Sequence, residues 1–238
     1  MQCAPPGGAG RPVIGVDLAM LQELKPDLIL TQALCEVCAV EAGAVHRLTE
    51  ALTPPPRIVS LGATDLGGIW RDIETVGAAI GLEDDAGELV FGLRHRISRL
   101  AARPAVEPRP RVICLEWTDP PYLAGHWVPE LVSAAGGTDV GATAGTRSVA
   151  RPWEQIAALE PSHMLVMLCG FDVSRARIEL QAISDSGARA ALASATVWIL
   201  DGNAYTSRAG PRVVNGAERI RAAFEGQPLE GLEPWLER

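Results

Sequence analysis

Leu159-Glu160-Pro161-Ser162-His163-Met164-Leu165-Val166-Met167-Leu168-Cys169 decides the fold of this chain, because Leu24-Lys25-Pro26-Asp27-Leu28-Ile29-Leu30 has the same order of parts. In each, a proline ends a helix and a short apolar strand follows. A cysteine-bearing loop comes next, Ala33 to Cys38 in the first copy and Leu168 to Phe171 in the second. Each half then carries another helix and strand, closed by Ser60-Leu61-Gly62 and by Leu200-Asp201-Gly202. The repetition predicts two lobes of related topology.

Apolar runs of strand length occur at Asp27 to Thr31, Arg57 to Leu61, Arg111 to Glu116, His163 to Cys169 and Thr196 to Asp201. Helical periodicity separates them, and strand-helix alternation favours parallel sheets covered by helices, so the fold class is α/β. Leu66, Ile69, Ile73, Val76 and Ile80 recur at steps of three and four, on one face of a helix capped by Thr64 or Asp65. Asp84 to Arg103 carries Ala86, Leu89, Val90, Leu93, Ile97, Leu100 and Ala101 on one stripe, with acids at its start and arginines at its end, as the helix dipole favours. At about 1.5 Å per residue this is a rod of roughly 30 Å, long enough to span two lobes. The three prolines of Arg103 to Pro110 place a boundary after it.

With 238 residues and 47% hydrophobic content, the chain has enough apolar surface for a folded core, which excludes a disordered or fibrous protein. Its formal charge of -8 lacks the basic excess that a phosphate backbone needs, so nucleic acid is not an expected partner. No apolar run reaches the roughly 20 residues of a membrane helix, and an integral membrane protein is not expected. The first twenty residues lack the apolar stretch of a secretory signal, so the sequence as it stands reads as cytoplasmic. Five cysteines, an odd number widely spaced, argue for a reducing compartment rather than a disulfide scaffold.

Three stretches carry candidate chemistry. Cys35-Glu36-Val37-Cys38 follows a strand, where a dithiol would have one thiol activated; the alternative is two small residues packed under a ligand loop. A structural zinc site needs four ligands, and no second CxxC completes one. Glu116 to Trp127 gathers Trp117, Pro121, Tyr122, His126 and Trp127 in a chain with only 5% aromatic residues. Such rings suit a large, flat, partly apolar ligand, or else cover a sheet edge. His126 by itself reads as a helix-start or hydrogen-bonding residue. In Asp201 to Arg212, Asn203, Tyr205 and Arg208 would satisfy ligand amides or carboxylates, or stand as ordinary loop residues. No HExxH, GxSxG or phosphate-loop motif occurs, and nothing pairs a nucleophile with a base, so an enzyme is not expected.

The segments LKPDLILTQALCEVCAV (24–40), LEWTDPPYLAGHWVPELVSAAGG (115–137), WEQIAALEP (153–161), CGF (169–171) and DGNAYTSRAGPR (201–212) together resemble the cobalamin-binding proteins of ABC importers. Those belong to the class of periplasmic solute-binding proteins for iron complexes and cobalamin. The resemblance runs over most of the chain. It implies a class III periplasmic-binding-protein fold: two three-layer α/β lobes joined by a single long interdomain helix. The lobes would be residues 1–83 and 105–238, with the helix at 84–104. Nothing before Val13 corresponds to the family's opening strand and helix, so the first lobe is expected to be incomplete at its N-terminus.

By this resemblance the ligand lies in an interlobe cleft lined by Cys35, Glu36, Cys38, Trp117, Pro121, Tyr122, His126, Trp127, Cys169, Gly170, Phe171, Asn203, Tyr205 and Arg208. Glu41 and Glu154 would dock on the importer's permease. The implied function is capture of cobalamin or a related corrinoid for import by a monomer, extracytoplasmic if the natural start lies upstream, with cobalamin as ligand and no catalytic cofactor or metal. Two other readings stay open: an iron-siderophore or haem-chelate binder of the same fold, and a thiol redox or metal-dependent enzyme using Cys35 and Cys38.

Overall fold

The computed structural model describes residues 17–32, 49 and 52–235. Cys35, Glu36, Cys38 and Glu41 lie outside the described residues. The chain divides into two compact units, one taking the described residues up to Ala63 with Gly67–Val90, the other Thr64–Leu66 with Phe91 onward.

In the first unit, helix α1 (Leu18–Leu24) is capped by the Asp17 carboxylate, which accepts from the Met20 amide, and ends in a left-handed Lys25. Strands β1 (Leu28–Gln32) and β2 (Arg57–Leu61) pair in parallel, Leu28 opposite Arg57 and Gln32 opposite Leu61. Helix α2 (Leu66–Ile80) and the first part of helix α3 (Glu83–Ala101) follow. The expected apolar faces are narrower than periodicity predicts. Leu66, Ile69 and Trp70 are buried on α2 while Ile80 is 53% exposed; Ala86, Val90, Leu93 and Leu100 are buried on α3 while Leu89 is 43% exposed. Leu89 lies at the margin of its stripe, whereas Ile80 is in the middle of its face but is the last residue of α2, beyond the part that is covered.

The second unit is built on a sheet of order β6-β4-β3-β7-β8-β9, with β5 also paired to β3. The strands are β3 (Arg111–Thr118), β4 (Pro121–Leu123), β5 (Thr138–Asp139), β6 (Val149–Ala150), β7 (His163–Val166), β8 (Thr196–Leu200) and β9 (Leu232–Pro234). β3, β7 and β8 run parallel, in register through Leu115, Val166 and Ile199. β4 and β9 run antiparallel to their neighbours β3 and β8. The helices are α4 (Val128–Ala134), α5 (Trp153–Ala157), α6 (Val173–Ala182), α7 (Ser186–Ala193), α8 (Gly202–Tyr205) and α9 (Val213–Phe224).

Strand alternation sends Ile113, Leu115, Met164, Val166, Val197 and Ile199 into one core with Ile156, Ala176, Leu180, Ala188 and Leu192 of α5, α6 and α7. Val112 lies on the opposite face, where Phe224 of α9 and Gly137 close on it. Two layers of helix around a sheet follow from strands that are apolar on both faces. Arg221, buried on α9, ties three segments together: it donates to the Pro104 and Ala135 carbonyls and, at 2.6 Å, to the Glu225 carboxylate. The proline-rich stretch after α3 is thereby anchored rather than loose.

Candidate functional site

Because β3, β7 and β8 are parallel, the segments leaving their carboxyl ends emerge along one edge of the second unit's sheet. These are the 117–127, 169–171 and 203–208 stretches that the sequence singles out. At β3 the chain turns back through Asp119 and Pro120 into β4, so Trp117 and Tyr122 are register partners in a hairpin. Trp117 fixes that turn by donating its indole N–H to the Asp119 carbonyl at 2.9 Å. After β7 the ladder continues past the strand, with the Met167 amide on Leu115 O and the Cys169 amide on Glu116 O at 2.8 and 3.0 Å. Gly170 then takes φ +74°, a left-handed turn that L side chains resist, and delivers Phe171 to the edge.

Contacts between these stretches form a belt. Trp117 and Phe171 meet edge to face, ring centroids 5.7 Å apart. The Phe171 carbonyl accepts from the Asn203 amide at 3.1 Å, and the Gly170 amide reaches Ser207 Oγ at 3.4 Å. Trp127 donates its indole N–H to the Thr206 carbonyl at 3.1 Å. His126 is held to the 145–146 turn by both backbone groups, its amide on Thr146 O at 2.6 Å and its carbonyl accepting from Gly145 at 2.9 Å. Beside it a Cβ on Gly125 would lie 2.8–2.9 Å from the Arg147 and Ser148 backbone, so only glycine admits this approach.

Polar and charged groups sit around the belt. The Arg175 guanidinium lies 4.5 Å from the Phe171 ring centroid, and Arg208 donates to the Asn203 side-chain oxygen at 2.8 Å. Asp201 caps α8 by accepting from the Ala204 amide at 2.7 Å, which sets Asn203 in place. Tyr205 is half-buried and lies under the Arg219 guanidinium at 3.8 Å. Pro121 is buried in β4, and Cys169 is half-buried. Glu154 stands exposed in the first turn of α5.

Glu116 is a site residue that motif reading passes over, although a glutamate ending the apolar run Val112-Ile113-Cys114-Leu115 is itself a signal. Burial pushes its carboxyl up to about 7, against the lowering effect of its hydrogen bond with Ser148. Ser148 Oγ also accepts from the Gly125 amide at 3.1 Å, joining Glu116 to the turn that holds His126. Burial, and then the nearby Arg147 charge, lower the His126 pKa. Cys114 below is fully buried, its thiol raised by desolvation and then by Asp139 and Glu116. Among the described residues no group of three or more His, Cys, Asp or Glu is arranged to hold a metal ion.

In the first unit, a depression of ≈ 390 Å³ is lined by residues that include Gln22, Lys25, Asp27 and Pro54. It lies at the amino end of β1, away from the carboxyl ends where α/β sheets gather ligands. No helix among the described residues is long and apolar enough to cross a membrane.

No family model matches the chain, and no curated protein matches it. Solved structures do. A periplasmic haem-binding protein from Pseudomonas aeruginosa aligns with TM-score 0.66 at 20% identity, over 94% of this chain and 82% of its own. An ABC-type Fe3+-hydroxamate transport protein from Saccharomonospora viridis aligns with TM-score 0.61 at 21% identity, over 90% and 73%. The periplasmic vitamin B12 binding protein BtuF of Vibrio cholerae aligns with TM-score 0.62 at 17% identity, over 89% and 78%. The chain has the α/β fold of the class III periplasmic binding proteins.

Proposed function

We propose that this chain is a non-catalytic solute-binding protein that captures cobalamin or a related corrinoid for an ABC importer. The observation that carries the reading is the belt itself: three stretches far apart in sequence converge on one sheet edge and are tied together there by Trp117–Phe171, Gly170–Ser207 and Trp127–Thr206. Trp117 and Tyr122 are part-exposed there while Phe171 and Trp127 are buried, and part-exposed rings beside loop amides suit a bulky flat ligand with polar side arms. Structures of like fold bind haem and vitamin B12, which supports a chelate of this size. The proposal keeps the lobe assignments 1–83 and 105–238 with 84–104 as connecting helix. It also keeps Cys35, Glu36 and Cys38 among the ligand residues, and Glu41 and Glu154 as permease contacts.

If binding removes roughly 500 Å² of apolar ligand surface from water, about 12 kcal/mol is gained. Association costs about 4 to 15 kcal/mol, so ring burial alone does not give tight binding. Asn203, Ser207 and the loop amides must pair with the ligand's polar arms. Calorimetric titration with cyanocobalamin tests the proposal: saturable one-to-one binding is expected, and no heat at about tens of micromolar overturns it. A second reading, an iron-siderophore or haem-like chelate, is favoured by Arg175 and Arg208 beside the belt, which would pair with an anionic ligand.

A further inference from the structure

We propose that the outer edge of β1 is an interface between two copies of this chain, paired antiparallel through Leu28, Leu30 and Gln32. The surface belongs to the first unit and does not depend on the solute-binding reading. A dimer replaces the monomer that the resemblance implies.

The backbone defines the edge. The Arg57 amide donates to the Asp27 carbonyl at 2.9 Å, and Ile29 is the register partner of Ile58. In a parallel ladder this turns the N–H and C=O of Ile29 and Thr31 toward β2, and those of Leu28, Leu30 and Gln32 away from it. Among the described residues β1 has no second neighbour, and no hydrogen-bond partner meets those outward backbone groups. Such a row of donors and acceptors is a template for another extended backbone.

The side chains leave the edge accessible. Leu30 is 47% exposed, Gln32 is exposed, and no residue of β1 is buried. Met20 and Leu24, one turn apart on the preceding α1, are exposed too. Proteins blunt such an edge with charge, proline or a bulge. The stretch Leu28-Ile29-Leu30-Thr31-Gln32 has none of these, whereas Pro54, Pro55, Pro56 and Arg57 stand at the start of β2.

Charge and symmetry select a second copy as the occupant. A two-fold axis at Leu30 sets Leu30 opposite Leu30 of the second copy and Leu28 opposite its Gln32, so each pair exchanges both hydrogen bonds. The strand is uncharged, and the charges that precede it, Lys25 and Asp27, fall at opposite ends of the antiparallel pair from their copies. On a chain of formal charge -8, an uncharged strand is where two copies approach with little repulsion. Pairing makes one continuous sheet of order β2-β1-β1-β2, and strands added to a two-stranded sheet stabilise it.

Sedimentation velocity on the full chain from about 1 to about 300 μM tests the proposal, a span that covers small, weak interfaces. A reversible shift from monomer to dimer is expected. Leu30→Lys puts two ammonium groups face to face at the axis and should raise the dissociation constant at least about tenfold, with the circular dichroism spectrum unchanged. Amide exchange in the unmutated chain is the second readout, and it stands if Leu30→Lys fails to fold. The Leu28, Leu30 and Gln32 amides should exchange at least about threefold more slowly in the concentrated sample than in the dilute one, while Ile29 and Thr31 change less. A monomer throughout the range overturns the proposal and leaves the edge to an extended segment of another protein. A dimer that Leu30→Lys does not weaken, or whose outward β1 amides keep their dilute rates, overturns it as well, because the copies then meet elsewhere.

Discussion

Glu116 shows how one side chain couples the site to stability. Its carboxyl is at about 7 in the fold and near 4.5 when unfolded, so the folded state favours the protonated form. That preference contributes its full stability below about 4.5 and is lost as pH rises through about 7. The shift amounts to about 3 kcal/mol. Glu116→Gln keeps a group for Ser148 and removes the ionisation. The variant is expected to match the unmutated chain at about pH 4 and to exceed it by about 1–3 kcal/mol at about pH 8, measured by urea unfolding; an equal difference at both pH values would contradict the burial argument. Composition made Trp117 and Trp127 legible, because rings clustered in an aromatic-poor chain stand out. His126 was legible as a member of that cluster but its left-handed backbone was not, and Glu116 was not legible at all: both depend on neighbours such as Thr146 and Ser148, which no local pattern announces.

At the scale of elements, α8 is the instructive case. The sequence leaves Asn203, Tyr205 and Arg208 of 201–212 as ligand groups or ordinary loop residues, and the structure finds a four-residue helix, Gly202–Tyr205, before α9 begins at Val213. So short a helix has no periodicity to read, and its existence depends on the Asp201 cap and on the Asn203 amide reaching Phe171 O. Asp201→Ala is expected to cost about 1 kcal/mol in chemical unfolding, as loss of an N-cap does. It should also weaken ligand binding, because Asn203 and Ser207 lose their setting; unchanged affinity would remove α8 from the site. The Trp117–Tyr122 hairpin likewise carries strand past the expected end at Glu116, since its two prolines disguise a strand. Helices α2 and α3 were read correctly as elements, and only the width of their buried faces was overestimated.

For the molecule as a whole, the buried strands are unevenly distributed. Val112, Ile113, Leu115, Met164, Leu165, Val166, Ile199 and Leu200 are all fully buried in β3, β7 and β8, whereas no residue of β1 is. Amide exchange is therefore expected to be slowest in those three strands and at least about tenfold faster in β1, whose opening does not require the larger core to unfold. Equal protection across both sheets would show that the two units unfold as one.

By itself the sequence determined the alternation of strand and helix and the α/β class, and it singled out 117–127, 169–171 and 203–208 as candidate stretches, because side-chain period and residue clustering are local properties of a chain. Only the tertiary structure decided that those stretches share an edge, that Tyr205 lies under Arg219, and that Glu116 belongs with them. Parallel pairing of β3, β7 and β8 joins residues dozens of positions apart, and burial, strain and hydrogen-bond partnership exist only once they meet.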